Sequence, residues 1–338
     1  MSKYRSQHYL PRLYLRPFAH EGRVMFRRRG AEPRPAGIAD VAAVKHLYSI
    51  TLPDGTRNTG AEQTISRFED KAAQTLRHLR EGGPIPERAT DARHSLALFL
   101  GLQLVRTPET SSRWLFPANV AKHAGTDRPT PEHVYAYLRN EHLGFEPTQR
   151  EVEGAHAFVS AALHLGPPTK SQLLDFMFTA AIHQFAPVLG SMQWSVEEFP
   201  EPRLVTCDRL PAMWRTPVEA DRYEGVGIET AEELWLPLDP SSLLVLRPEG
   251  TECRTKVDAD RARLVNRHLA RHCYTAVFHD PRLRPAPDEL TMATLPLIAR
   301  FNSGPLVVEG RPTAQEGLHM WTPIRDDAWH ASSTVVAP

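Results

Sequence analysis

Glu62 and Glu69 stand seven residues apart in the run AEQTISRFEDKAAQTLRHLREGG, where Ile65, Phe68, Ala72, Leu76 and Leu79 recur at three- and four-residue steps. That period predicts an amphipathic helix, stopped by Gly82-Gly83-Pro84. At roughly 100° per residue the two carboxylates fall nearly one above the other, and Glu69 lies about 60° from the centre of the apolar stripe. A carboxylate at the edge of a core needs a donor, a cation or a metal, because desolvating it alone is too costly. Gln103 and Arg106 belong to TDARHSLALFLGLQLVRTP, apolar on every side from Leu96 to Val105, so this helix should be surrounded by protein and both polar heads should find partners inside. An Arg106–Glu69 pair would satisfy both ends as architecture alone. Alternatively, Glu62, Glu69 and Asp208 could hold a divalent cation such as magnesium, which takes oxygen ligands. Both readings are open.

Other residues carry chemistry less specifically. His8, after Gln7 in an extended segment, is either a general base or metal ligand near neutral pH, or part of a strand whose polar groups pin the N-terminus. Asp208 follows the apolar Leu204-Val205 and is either a carboxylate placed for catalysis at a strand end or a turn former. His268 and His272 share a helical face, but no glutamate base and no third ligand stands at a zinc-site spacing. Arg27-Arg28-Arg29 reads as a phosphate clamp or as a solvated charge run. Phosphate-loop, dinucleotide and nucleophile-elbow glycine motifs are missing, which argues against phosphate-loop NTPases, ordinary Rossmann dehydrogenases and α/β-hydrolases.

The elements that must position these groups change character along the chain. Residues 1–60 form an irregular N-terminal motif and strand segment, with VAAVKHLYSITLPDG read as a strand ending in an Asp54-Gly55 turn. Residues 61–187 read as a helical block, with further helices near 109–124, 131–143, 148–165 and 170–186. Residues 188–280 switch to short strands (SMQWSVEE, RLVTC, ELWLPL, SLLVLR) and one helix from about Asp258 to Val277, packed with the N-terminal segment as one domain. Residues 281–338 are proline-rich and expected to be loosely ordered. The fold class is therefore α+β: a central helical block on a small, mostly antiparallel sheet from the N-terminal segment and the strands after residue 190. The 338 residues carry 40 basic and 40 acidic groups and 30 prolines, a globular composition whose zero net charge argues against nucleic-acid binding by bulk electrostatics but leaves room for a local basic patch. Three cysteines without CxxC spacing suggest a reduced compartment. With no leader-like start and no stretch of 18 uncharged apolar residues, the expectation is a cytoplasmic protein without membrane contact.

Several segments, in order and spacing, resemble one bacterial family, the domain of unknown function 4238. They are Gln7-His8-Tyr9-Leu10-Pro11-Arg12-Leu13-Tyr14-Leu15-Arg16-Pro17-Phe18, Val44-Lys45-His46-Leu47-Tyr48, Glu62 with Glu69, Gln103-Leu104-Val105-Arg106-Thr107-Pro108, Val205-Thr206-Cys207-Asp208-Arg209-Leu210-Pro211, Leu236-Pro237-Leu238-Asp239-Pro240 and Asn266. Cys207 departs from the family's usual small residue and Asp239 from its usual serine. The family has no agreed activity, so the resemblance implies an architecture and a residue list but no reaction.

Two functions fit. In the first, His8, Glu69, Arg106 and Asp208 are catalytic around one cleft, with Gln7 and Gln103 supporting, in metal-assisted hydrolysis of a phosphodiester. Nucleic acid is then the natural substrate and Arg27–Arg29 touch its backbone. In the second, the same polar groups only staple a non-catalytic interaction or scaffold protein, and the proline-rich tail meets the partner.

Overall fold

The computed structural model describes residues 6–143, 146–166, 169–216, 226–292, 300–308 and 311–321. They divide into two compact units: residues up to Pro108 with Leu174–Arg215 and Gly227–Met292 form one, and Glu109–Leu173 with the described part of the stretch after Met292 form the other.

The first unit opens with β1 (Ser6–His8), the short helix α1 (Arg12–Leu15), and the hairpin of β2 (Arg23–Arg28) and β3 (Arg34–Gly37). The single strand expected across Val41 to Asp54 is instead two, β4 (Ala43–Lys45) and β5 (Ile50–Thr51). His46 between them has φ 56°, a left-handed conformation no strand accommodates. β4 pairs with β1, placing Gln7 opposite Val44 and His8 opposite Ala43. β5 pairs with β6 (Arg57–Asn58) across the Asp54-Gly55 turn.

Two helices follow. α2 (Gly60–Arg80) buries Ile65, Ala72, Leu76 and Leu79, the stripe read from the sequence. α3 (Asp91–Val105) is capped by Thr90, whose hydroxyl accepts from the Arg93 amide; it is buried on nearly every side from Leu96 to Val105. In the second unit, α4 (Pro108–Trp114), α5 (Phe116–Ala124), α6 (Pro131–Tyr137) and α7 (Gln149–His164) supply a separate core of Phe116, Val120, Val134, Tyr137, Leu138, Val152, Ala155 and Val159. α7 begins with a reciprocal Thr148–Glu151 capping box, which satisfies two otherwise orphaned amides.

The helix expected over 170–186 is α8 (Lys170–Thr179), a wider π-helical turn (Ala180–Phe185) and α9 (Ala186–Ser191). By length and composition the run Lys170–Ser191 is apolar enough to cross a membrane. Its π turn packs on α3 so closely that a Cβ at Gly101 would lie 3.0 Å from the Ala181 carbonyl oxygen, so a larger residue there would push that backbone back by a few tenths of an ångström.

The remaining strands build two sheets. β7 (Gln193–Glu198), β9 (Ala212–Trp214), β10 (Glu233–Asp239), β11 (Ser242–Arg247) and β12 (Arg254–Lys256) form one in the order β12-β7-β11-β10-β9, antiparallel except for β12 beside β7. β8 (Thr206–Cys207) and β13 (Ala276–His279) join the N-terminal hairpin in the order β3-β2-β13-β8. The architecture is α+β with mostly antiparallel sheets, but the N-terminal segment and the later strands share the second sheet and not the first. α10 (Ala259–His272) ends five residues before Val277, where β13 has begun. In the stretch read as a loosely ordered tail, β14 (Arg300–Val308) and β15 (Arg311–Trp321) pair as an antiparallel hairpin; residues 322–338 of that expectation lie outside the described residues.

Candidate functional site

β1, α2 and the end of α3 bring together most of the residues singled out for chemistry. Arg106 caps α3 and is fully buried; its Nη1 donates to Glu69 Oε1 at 2.6 Å, and its Nε donates to the Tyr9 carbonyl at 2.9 Å. Glu69 keeps 18 % of its side chain exposed, the half-buried position its place on the helical wheel implied. The ion pair therefore ties α2 to α3 and both to the chain just after β1.

Gln7 pins the N-terminal strand. Its carbonyl accepts from the Tyr48 amide at 2.6 Å and its amide donates to Ser49 Oγ at 2.8 Å. Tyr48 then donates its phenol to the Arg106 carbonyl at 2.9 Å, capping the helix end. Tyr48 went unrecognised as a site residue, although a tyrosine in an apolar setting commonly reaches for a buried acceptor. His8 Nε2 donates to the Ala39 carbonyl at 3.1 Å, which leaves Nδ1 as the ring's acceptor. Burial lowers the His8 pKa, and the charges of Arg12, Glu69 and Arg106 all act on the ring.

Three buried polar atoms in this region have no hydrogen-bond partner among the described residues: Glu62 Oε2, Gln103 Nε2 and Arg106 Nη2. Gln103 is 3 % exposed and sits one helical turn before Arg106. Among the described residues its amide nitrogen has no partner, against the expectation of an internal one. Burial, and next the charge of Glu69, push the Glu62 carboxyl from its ordinary 4.5 up to about 7, against the pull of Arg106. A buried amide and guanidinium with unused donors, beside a carboxyl that titrates near neutrality, form a place able to bind a polar group and exchange a proton with it.

The raised pKa has a consequence independent of function. Between about pH 4.5 and 7 the folded state holds a proton on Glu62 that the unfolded state releases, so stability falls as pH rises through that window. Glu62→Gln, a neutral isostere of the protonated form, should be near-neutral at pH 5 and stabilising at pH 8. The gain is about 1–2 kcal/mol once the solvent-exposed part of the side chain is allowed for. Urea unfolding of both proteins at the two pH values checks it; a constant difference would place the Glu62 pKa in the ordinary range.

Asp208 does not join the cluster as a free carboxylate. It is 2 % exposed, and its oxygens accept from the Tyr274 amide (2.8 Å), the Thr275 amide (2.8 Å) and hydroxyl (2.6 Å), and the Ala276 amide (3.1 Å), with the Tyr9 phenol at 3.5 Å. Burial raises its pKa although these donors oppose the shift. The carboxylate organises the turn into β13, which corrects the expectation of a catalytic or metal-ligating Asp208: its lone pairs are committed. Among the described residues no group of three or more His, Cys, Asp and Glu side chains could hold a metal ion, so Glu62, Glu69 and Asp208 do not form the shared cation site. His268 and His272 stack with ring centroids 4.1 Å apart, and His268 Nε2 donates to the Met213 carbonyl at 2.9 Å. Their helical spacing served packing.

The family model "Protein of unknown function (DUF4238)" matches residues 6–282. No curated protein and no solved structure matches. The matched span takes in β1, α2, α3, the Asp208 turn and both sheets of the first unit, and on that match the chain belongs to the DUF4238 family of proteins of unknown function.

Proposed function

We propose that the protein hydrolyses phosphodiesters, with Glu62, Glu69, Arg106 and His8 as the reacting groups. The observation that carries this reading is the pair of buried donors without a partner among the described residues, Gln103 Nε2 and Arg106 Nη2, beside the Glu62 carboxyl with its pKa of about 7. A general acid–base works best when its pKa lies near the working pH, and Glu62 has that property. Arg106 Nη2 and Gln103 Nε2 are unused donors for the oxygens of a phosphoryl group as charge builds on them. His8, with Nδ1 unprotonated, would accept the proton of the attacking water. Glu62 and Glu69 are the two carboxylates that would hold a divalent cation, which would polarise a phosphoryl oxygen. With a cation bound, Glu62 would be an ionised ligand and proton transfer would fall to His8.

A second reading is favoured by Asp208, Gln7 and Tyr48, which are wholly taken up in holding the fold; on it, Glu69 and Arg106 are one more staple of a non-catalytic scaffold. Turnover separates the two. Wild type would be assayed against bis(p-nitrophenyl) phosphate and single-stranded DNA and RNA, with magnesium, manganese or EDTA. The hydrolase reading expects turnover that Glu62→Gln lowers at least about 100-fold at undiminished melting temperature, with cation uptake weakening as pH falls below 7. Inactivity of the folded protein on all three substrates leaves the scaffold.

A further inference from the structure

The N-terminal sixty residues carry eleven Lys and Arg against four Asp and Glu, a net +7 in a chain whose total is zero. Some exposed arginines elsewhere in the first unit are matched by carboxylates: Arg203 by Glu201, Arg263 by Asp260, Arg267 by Asp288 and Arg282 by Asp280. None of Arg12, Arg16, Arg23, Arg27, Arg28 and Arg34 makes an ion pair with a carboxylate among the described residues; five of them are exposed and Arg27 is half-buried. Unmatched like charges repel one another and give the isolated fold no return.

These six lie on α1, the turn that continues it and the hairpin that follows. Arg12 and Arg16 stand one turn apart on α1 and the turn that continues it. His20 bridges to Arg23 at the start of β2. The β2–β3 ladder sets Phe26 opposite Arg34, whose guanidinium lies 5.8 Å from the Phe26 ring centroid; Arg28, two residues on, shares that side of β2, and Arg23 and Arg27 take the other. β3 is the edge strand of its sheet, so nothing in the sheet covers this side. The surface also reaches the site: the charge of Arg12 acts on His8, and His8 Nε2 holds the Ala39 carbonyl just past β3. Glu21, Glu32 and Asp40 are the exposed acids of the same region, too few to neutralise it.

We infer that the arginines of α1 and the β2–β3 hairpin form a binding surface for the phosphate backbone of a nucleic acid. The inference deepens the phosphodiester reading above and rests on it for the substrate's chemistry. Guanidinium groups suit phosphate because they present planar, paired donors, and unpaired arginines lose no ion pair on binding. An anionic membrane would want apolar side chains to insert, yet the exposed large hydrophobic residues among the described ones are Val44, Leu52, Leu165, Val188 and Leu264, none between Arg12 and Gly37.

Fluorescence anisotropy with a labelled 20-nucleotide single strand tests this on the full chain. Contacts to about four phosphates predict a slope of log affinity against log salt near −3, at roughly −0.7 per phosphate. Arg12→Gln with Arg16→Gln, or Arg28→Gln with Arg34→Gln, should each lower the slope by about 1.4 and weaken binding at least tenfold, at unchanged melting temperature; the lysine versions should restore the slope. Arg263→Gln with Arg267→Gln is the control and should change neither. No binding at low salt, equal loss in the control, or binding to anionic phosphatidylserine vesicles in place of the oligonucleotide would overturn the inference. Binding without cleavage would keep the surface and remove the hydrolase; cleavage of bis(p-nitrophenyl) phosphate without oligonucleotide binding would do the reverse.

Discussion

Glu69→Ala is expected to destabilise the protein by about 3–5 kcal/mol, because it strands a buried guanidinium. Arg106 is fully buried, and one of its nitrogens already lacks a partner. Removing Glu69 Oε1 takes away its only carboxylate among the described residues while Nε stays on the Tyr9 carbonyl. Arg106→Met should cost less than Glu69→Ala, since it removes the charge and fills the space, leaving Glu69 free to turn toward water. The double mutant should then recover part of the loss. Urea unfolding of the two single mutants and the double mutant reads the coupling directly. Small additive losses would show that the pair contributes nothing, and the architectural role of Arg106 would fall.

Asp208→Ala should be comparably severe, about 3–5 kcal/mol, through a different mechanism. It leaves three successive backbone amides, Tyr274, Thr275 and Ala276, without their acceptor, each costing about 1–3 kcal/mol when buried and unmet. Asp208→Asn should recover little, because a carboxamide keeps one acceptor oxygen and turns an NH2 toward donors. Hydrogen exchange resolves the cause: protection should be lost first at residues 274–276 and along β13, well before α2 and α3. A mutant of native stability would return Asp208 to the list of chemical groups.

α2 was legible in the sequence because a helix that buries one face must repeat its apolar residues every three to four positions. The same arithmetic placed Glu69 at the edge of that face, and the all-round apolarity of α3 announced a surrounded helix that would have to satisfy Arg106. The break at His46 was not legible, since a left-handed residue other than glycine leaves no compositional mark. The π turn after α8 was equally silent, because its residues are as apolar as those around it.

For the site, residue types and periodicity determined that Glu69 and Arg106 would be buried polar groups in need of partners, and the resemblance supplied the company they keep. Which partners they took depended on contacts between residues far apart in the chain. Asp208, a free-looking carboxylate in the sequence, is spent on amides sixty-six to sixty-eight positions later. Glu62, unremarkable except for its spacing, emerges with a neutral-range pKa because the tertiary structure desolvates it beside Glu69. Local pattern fixes which side of an element faces inward; what waits there, how many donors each acceptor meets and how much water remains are set only when distant segments pack.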